Sequence, residues 1–274
     1  MEPYASRAPH PRLRGLVSYV GYHHVEPEPG VHHGLPSTSL TVIVAFDEPI
    51  DVGWLDERQR GRHDTVVSGL HSGPAVVRFD RVQHGVQLAL TPRGARQLLG
   101  VPAGALAGVL VPLPDVLGAE LAAQAYEAMA VAATWGDRFD VLERHLLGLV
   151  DRHPLVPARP ELDQAWRLLE RSRGAIRVES LAREVGWSRR HLTGQFTRES
   201  GLSPKQVARV VRFRHARRLL PRLGATGLAH VAAAAGYADQ QHLNREWRAL
   251  AGCTPTEWMR QAFPFVQDAA RATG

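Results

Sequence analysis

The chain has 274 residues and a mass of 30.1 kDa, 44% of it apolar and 22% charged, which supports a core and excludes wholesale disorder. The formal charge is +6 and the one cysteine, Cys253, excludes an internal disulfide framework. No apolar run reaches the ~18 residues of a spanning helix, and the opening Glu2, Pro3 and Tyr4 show no secretory pattern. The expectation is a soluble cytoplasmic protein with no membrane partner.

Charge is unevenly spread. Residues 1–160 hold 14 basic and 17 acidic side chains, residues 161–274 hold 19 and 10, and the interval 177–222 alone holds 12 and 3. A field of that kind attracts a polyanion, with nucleic acid first and a membrane surface second.

Between residues 13 and 90, short β-prone runs alternate with turn residues: Leu16 to Tyr22, Leu40 to Phe46, Thr65 to Val67, Ala75 to Phe79 and Val86 to Leu90. Pro27, Pro29, Gly30, Gly34 and Pro36 punctuate the first gap, and Asp47, Glu48, Pro49 and Gly53 the next. Several short strands at this spacing predict an antiparallel sandwich or small barrel. Thr91-Pro92 can cap a short helix that ends at Gly100, and longer helices are expected over 115–133 and 137–151. His153, Pro154, Pro157 and Pro160 then mark a linker at 152–160. The predicted organisation is a β-rich domain over 1–151, that linker, an all-helical domain over 161–262 and a tail over 263–274.

Beyond Glu161 the pattern is helical throughout. Leu162, Trp166 and Leu169 form one apolar face, and Leu181, Ala182 and Val185 a second. After Gly186, a helix from Arg189 to about Ser200 carries Leu192 and Phe196 inward, and Gly201 closes it. Ser203, Pro204 and Gln206 then read as cap, first position and capping-box partner of a helix reaching about Leu220. Gly224 and Gly227 end that region.

The order then repeats. Leu192, Phe196, Gly201 and Pro204 lie 6, 10, 15 and 18 residues after Gly186, while Leu243, Trp247, Gly252 and Pro255 lie 7, 11, 16 and 19 after Gly236. Thr254 and Glu257 reproduce the capping box. Two helix-turn-helix units joined by one long helix account for the repeat. In each, the face of the second helix opposite the anchors is free to enter a major groove. The DNA-binding candidates are therefore Arg189, Arg190, Thr193 and Arg198 in the first unit, and Gln240, Gln241, Asn244 and Arg245 in the second. Arginine matches the guanine edge, and glutamine or asparagine the adenine edge. On the long helix, Arg209, Arg212, Arg217 and Arg218 have three open fates: phosphate contact, internal pairing or solvent. Arg217 serves as the test of phosphate contact.

The stretch VESLAREVGWSRRHLTGQFTRESGLSPKQVARVVRFRHARRLL resembles the first unit and linker helix of the AraC/XylS family. GLAHVAAAAGYADQQHLNREWRALAGCTPTEW resembles its second unit and signature. The resemblance covers roughly 161–262 and implies a seven-helix bundle with two recognition helices in successive major grooves. It also implies base contacts from Arg190, Thr193, Gln240, Gln241, Asn244 and Arg245. The family often has arginine where this chain has Gly194. The first 150 residues resemble the amino-terminal portion of some regulators of that family, LALTPRGARQLLGVP included, which implies a cupin-like domain for effector binding or dimerisation.

Other chemistries have little support. The ten histidines up to His153, with His23, His24, His32, His33, His63, His71 and His84 among them, form no HxH or HExxH pattern and read as turn or surface residues. Asp47, Glu48, Asp51, Asp56 and Glu57 read as a solvated loop. Ser68-Gly69 and Ser72-Gly73 lack a nucleophile elbow, Lys205 is the only lysine and forms no phosphate loop, and Cys253 reads as part of a turn. The expected fold is α+β, and the expected function is sequence-specific, effector-responsive control of transcription, with no catalysis, metal or cofactor. A cupin-like enzyme and a nucleoid protein are the rival readings, separable by turnover and by equal affinity for scrambled DNA. Double-stranded DNA is the expected partner; RNA polymerase, an unknown small molecule and a second copy of the chain are the further candidate partners, and activation or repression stays open.

Overall fold

The computed structural model describes residues 2–153, 159–223 and 227–260. The described residues include ten strands: β1 (Tyr4–Ser6), β2 (Val17–Val25), β3 (Gly30–Gly34), β4 (Leu40–Ala45), β5 (Ile50–Trp54), β6 (Gly61–His63), β7 (Thr65–Ser68), β8 (Ala75–Phe79), β9 (Val82–Leu90) and, after a short helical stretch, β10 (Leu110–Pro112). They form two sheets, ordered β1-β2-β9-β4-β7-β10 and β3-β8-β5-β6, and each pairing is antiparallel. A β-rich part followed by a mostly helical part is the architecture; no closed barrel is formed. The short strands β1, β3, β5, β6 and β10 were not among the expected runs. Glycine, proline and charge interrupt their sequences, and only ladder bonds to a neighbour make them strands.

Strand alternation gives the six-stranded sheet two different faces. Tyr19, Val42, Val44, Val67, Val86, Leu88 and Leu90 share one face, as the cross-strand pairs Val42–Leu88 and Val44–Val86 require. These residues are buried in one core with Phe139, Leu142 and Leu146. Gly21 lies on that face because a Cβ there would stand 2.4 Å from the Trp135 ring. The other face turns toward the four-stranded sheet and carries Tyr22, His24, Thr41, Ser68, Gln83 and Gln87.

Thr91 caps α1 (Pro92–Gly94) by accepting from the Gly94 N–H at 2.9 Å. The chain opens there into a π-type turn over 95–99 and stops at Gly100, φ 72°. The helix expected over 115–133 is instead α2 (Leu113–Leu117) and α3 (Ala119–Ala130), broken where Gly118 takes φ 86°. Thr134 caps α4 (Trp135–Arg152). Of the proline-rich passage, residues 154–158 lie outside the described residues, as do Gly224 and the tail at 263–274.

Seven helices follow among the described residues: α5 (Pro160–Arg171), α6 (Val178–Glu184), α7 (Arg189–Ser200), α8 (Pro204–Leu223), α9 (Leu228–Ala234), α10 (Gln240–Ala251) and α11 (Pro255–Arg260). The linker helix α8 runs 20 residues, past the expected Leu220 and through Pro221, a length of ~30 Å at ~1.5 Å per residue. Val207, Ala208 and Val211 belong to a core that the first unit shares with the β-rich part, whereas Val210, Phe213, Ala216 and Leu220 belong to the core of the second unit. One helix is thus clamped by two cores.

Candidate nucleic-acid interface and effector cavity

Helices α6 and α7 make the first helix-turn-helix unit, and α9 and α10 the second. Their turns coincide: Gly186 has φ 72° and Gly236 φ 77°, and a Cβ at either would meet nothing within 4 Å. Backbone conformation, not space, requires glycine there. Ser188 caps α7 by accepting from the His191 N–H at 3.2 Å, and Asp239 caps α10 by accepting from the His242 N–H at 2.6 Å. Gly201 and Gly252 end the two helices in the left-handed region.

The anchors also correspond. Leu192 and Phe196 are buried, with Phe196 stacked on Trp166 at 5.3 Å. Leu243 and Trp247 are fully buried, with Trp247 edge-on to Phe213 at 4.9 Å. Both downstream capping boxes close: Gln206 accepts from the Ser203 N–H at 2.9 Å, and Glu257 from the Thr254 N–H at 2.7 Å. Reciprocal capping of this kind satisfies two otherwise orphaned donors per helix.

Opposite the anchors, Arg189, Arg190 and Arg198 are exposed on α7 and Thr193 is half-buried. Arg189 pairs with Glu179 at 3.0 Å, so that guanidinium is already partly neutralised. On α10, Gln240, Gln241 and Arg245 are exposed and Asn244 is half-buried, its Oδ1 shielded without a hydrogen-bond partner among the described residues. Gly194 lies on α7 with open space around it, nothing standing within 4 Å of a Cβ. Gly194→Ala should therefore stabilise the protein by about 0.5–1 kcal/mol, read as a higher midpoint in denaturant unfolding followed by circular dichroism; a lower midpoint would contradict the open site.

The linker-helix arginines divide. Arg209 pairs with Glu246 at 2.7 Å, and Arg212 donates to the Gly174 carbonyl at 2.9 Å and lies 5.6 Å from the Tyr237 ring. Arg218 is exposed. Arg217 is 3% exposed because its position on α8 faces the protein; of its three open fates, this favours internal pairing over phosphate contact. Arg217→Ala should cost stability by about 1–3 kcal/mol, as other losses of a buried polar side chain do, and leave the salt dependence of DNA binding unchanged. Salt titrations alongside thermal melts separate the two effects: a salt slope lowered by about one with an intact melt would reinstate the phosphate contact.

A second site lies between the sheets. Its floor is the polar face of the six-stranded sheet, and its opposite wall is Ile50, Val52, Ala75 and Val77 of the other sheet. The space, open mouth included, is about 960 Å³. His24, His32, His33 and His71 also line it. Burial lowers the pKa of His32 and of His71 to about 4, and that of His24 to a lesser degree. His24, His32 and His33 thus lie in strands that face a cavity, not in turns, while His71 sits in the connection between β7 and β8. Their number was the only signal in the sequence, since no local spacing tells which face of a sheet a second sheet will cover.

His84 is buried on the far face. Its Nδ1 stands 2.7 Å from Asp47, its Nε2 stands 2.6 Å from Arg138, and His23 approaches ring to ring at 4.9 Å. His23, Asp47 and His84 are close enough to ligate a metal. The guanidinium, however, only donates, so Nε2 must accept and Nδ1 carries the proton. A metal would need that same Nδ1. Arg138 itself lies 4.7 Å from the Phe46 ring and 4.9 Å from that of Trp135, and the network reads as a structural support for the sheet. Among the acidic residues expected in a solvated loop, Asp51 sits instead in β5, held by Arg60 at 2.7 Å, which keeps its carboxyl below the ordinary range.

Residues 181–261 match the helix-turn-helix domain family. Over nearly its whole length the fold is similar to solved structures of ToxT from Vibrio cholerae. An apo variant is 10% identical over 94% of this chain and 100% of that one, at TM-score 0.54. The wild-type protein with an unsaturated fatty acid bound is 10% identical over 89% and 94%, at TM-score 0.50. No curated protein matches the chain. At this identity the likeness to ToxT is one of fold. Among the described residues no helix is long and apolar enough to cross a membrane.

Helices α7 and α10 do not stand alone. Both terminal glycines abut the β-rich part: a Cβ on Gly201 would meet that of Ala107 at 2.0 Å, and one on Gly252 would meet the His33 ring at 3.1 Å and Pro74 at 3.3 Å. His33 donates from Nδ1 to the Ala251 carbonyl at 2.7 Å, and Leu35 is buried in the core of the second unit. Arg96 pairs with Glu199 near the end of α7, and Arg214 of α8 bonds Thr38 and Glu170. None of these contacts has a sequence signature, because each joins residues more than a hundred positions apart or depends on side-chain direction.

Proposed function

We propose that this chain is a DNA-binding transcriptional regulator that reads two adjacent major-groove segments and that an effector in the inter-sheet cavity modulates the reading. The assignment gives base contact to Arg190, Thr193, Gln240, Gln241, Asn244 and Arg245, and backbone or base contact to Arg189 and Arg198. The observation that carries it is the equivalence of two caps, two turns, two apolar anchors and two exposed polar faces on one clamped spacer. Only three arginines balance three acids in 224–260, so the second unit contributes by hydrogen bonding and helix termini, and the first supplies the charge.

The effector part rests on β3. That strand walls the cavity through His32, His33 and Gly34, and the same His33 holds the Ala251 carbonyl at the end of α10. The β-rich part, in this reading, is a cupin-like sensor domain over 1–151, and residues 161–262 form the reader. ToxT supplies a precedent in a similar fold, having been solved with a fatty acid bound.

Substitution of the glutamines tests base reading. Gln240→Ala or Gln241→Ala should cost about 1–3 kcal/mol on a preferred site and little on scrambled DNA, as the loss of a bidentate adenine contact does. Competition binding against both DNAs checks it, and equal losses on the two for both variants would reject the assignment.

A further inference from the structure

The cavity also has a chemical preference, an inference that rests on its being the effector site. Among the described residues that line it, none is Asp, Glu, Lys or Arg. Its two sides differ. The floor carries a polar track across four neighbouring strands: His24 stands opposite Gln83, Gln87 opposite Ile43, and Thr41 opposite Ser68. His24 and Ser68 are three strand spacings (~14 Å) apart across the sheet and six residues (~20 Å) apart along it. His24 Nε2 and Ser68 Oγ are both shielded and have no hydrogen-bond partner among the described residues. Orphaned polar atoms in a cavity wall cost stability and are retained where something else satisfies them. On the facing wall Ile50, Val52, Ala75 and Val77 offer hydrocarbon, with His32 beside Val77 as its polar neighbour.

We propose that the inter-sheet cavity takes an uncharged, mainly apolar molecule whose hydroxyl or carbonyl groups face His24, Gln83, Gln87, Thr41 and Ser68, and whose hydrocarbon face lies on the second sheet. A carboxylate brought into this space would lose its hydration and find no cation. The lining histidines shielded by burial do not supply one at neutral pH, and the carboxylate felt most by Tyr4 and His24 is that of Glu26, which repels anions. Chain length and ring shape are left to the 960 Å³ of space; charge is not.

The test uses the full-length protein and the uncharged dye Nile red at neutral pH. Nile red fluorescence should rise on binding, decanol should displace it, and decanoate should need at least ~10-fold more, the cost of an uncompensated charge. Gln87→Lys puts a cation in the middle of the floor and should narrow or reverse that preference. Ile43→Trp should fill the space and abolish dye binding; should that variant fail to fold by circular dichroism, the Gln87→Lys result alone locates the site. Displacement of the dye from the wild-type protein by decanoate as readily as by decanol would overturn the uncharged class while leaving the effector reading intact. Absence of dye binding, or dye binding undiminished in a folded Ile43→Trp protein, would overturn the cavity as a site and the effector reading with it.

Discussion

Inserting or deleting about 5 base pairs between the two subsites of a preferred site should weaken binding of the full-length protein by about 2–6 kcal/mol. That is the contribution of two bidentate base contacts at about 1–3 kcal/mol each. The shift rotates one groove segment by about half a turn relative to the other. Accommodation would require α8 to twist or bend, and its packing opposes both. Val207 and Val211 are fixed in the first core, Val210, Phe213 and Leu220 in the second, and Arg209–Glu246 ties the spacer to α10 at 2.7 Å. An insertion of ten base pairs restores the rotation but stretches the separation beyond one turn of about 34 Å, so binding should remain weak. Fluorescence anisotropy on a spacing series measures this directly. Affinity unchanged in both half-turn variants would mean that only one unit engages DNA.

Trp247→Ala should be the most damaging single substitution in the second unit. Trp247 is fully buried between Phe213 and Trp258, at 4.9 and 5.7 Å between ring centroids, and it holds α10 on the spacer. Truncation to alanine removes the ring and leaves a cavity, costing about 3–5 kcal/mol, much of the ~5–15 kcal/mol that a domain possesses. Denaturant unfolding monitored by circular dichroism should show the loss. On DNA, the variant should retain contacts at the first subsite and lose discrimination at the second, because Arg190 and Thr193 sit on α7, which is anchored by Phe196 on Trp166. Equal loss at both subsites would show that the two cores unfold as one. Leu35 already links the second core to the β-rich part, so full-length protein is the right subject for both measurements.

Much of the reader was legible from residue order. Helix starts, turns and stops depend on interactions within about four residues. Ser188, Asp239, Ser203–Gln206, Thr254–Glu257 and the glycines at 186, 201, 236 and 252 each make their contacts or adopt their conformation as the local pattern requires. Apolar periodicity likewise placed Leu192, Phe196, Leu243 and Trp247 inward. Helix length was less legible. A helix can continue past Leu220 through Pro221 when its face is packed, and it breaks at Gly118 where the backbone takes a positive φ.

The sequence by itself determined the double helix-turn-helix, its caps and the polar faces of its second helices, since those follow from short-range hydrogen bonding and a 3.6-residue period. Only the tertiary structure decided which linker arginines are free. On a helix packed against two cores, Arg217 is buried and Arg218, one residue further round the helix, is exposed. Only the tertiary structure, too, turned Thr41, Ser68, Gln83 and Gln87 toward a second sheet. Alternation along a strand defines two faces but does not say which will be covered, or by what. The same long-range packing brought His33 from the cavity wall to the carbonyl of Ala251, a contact across 218 positions that no local rule of chain geometry encodes.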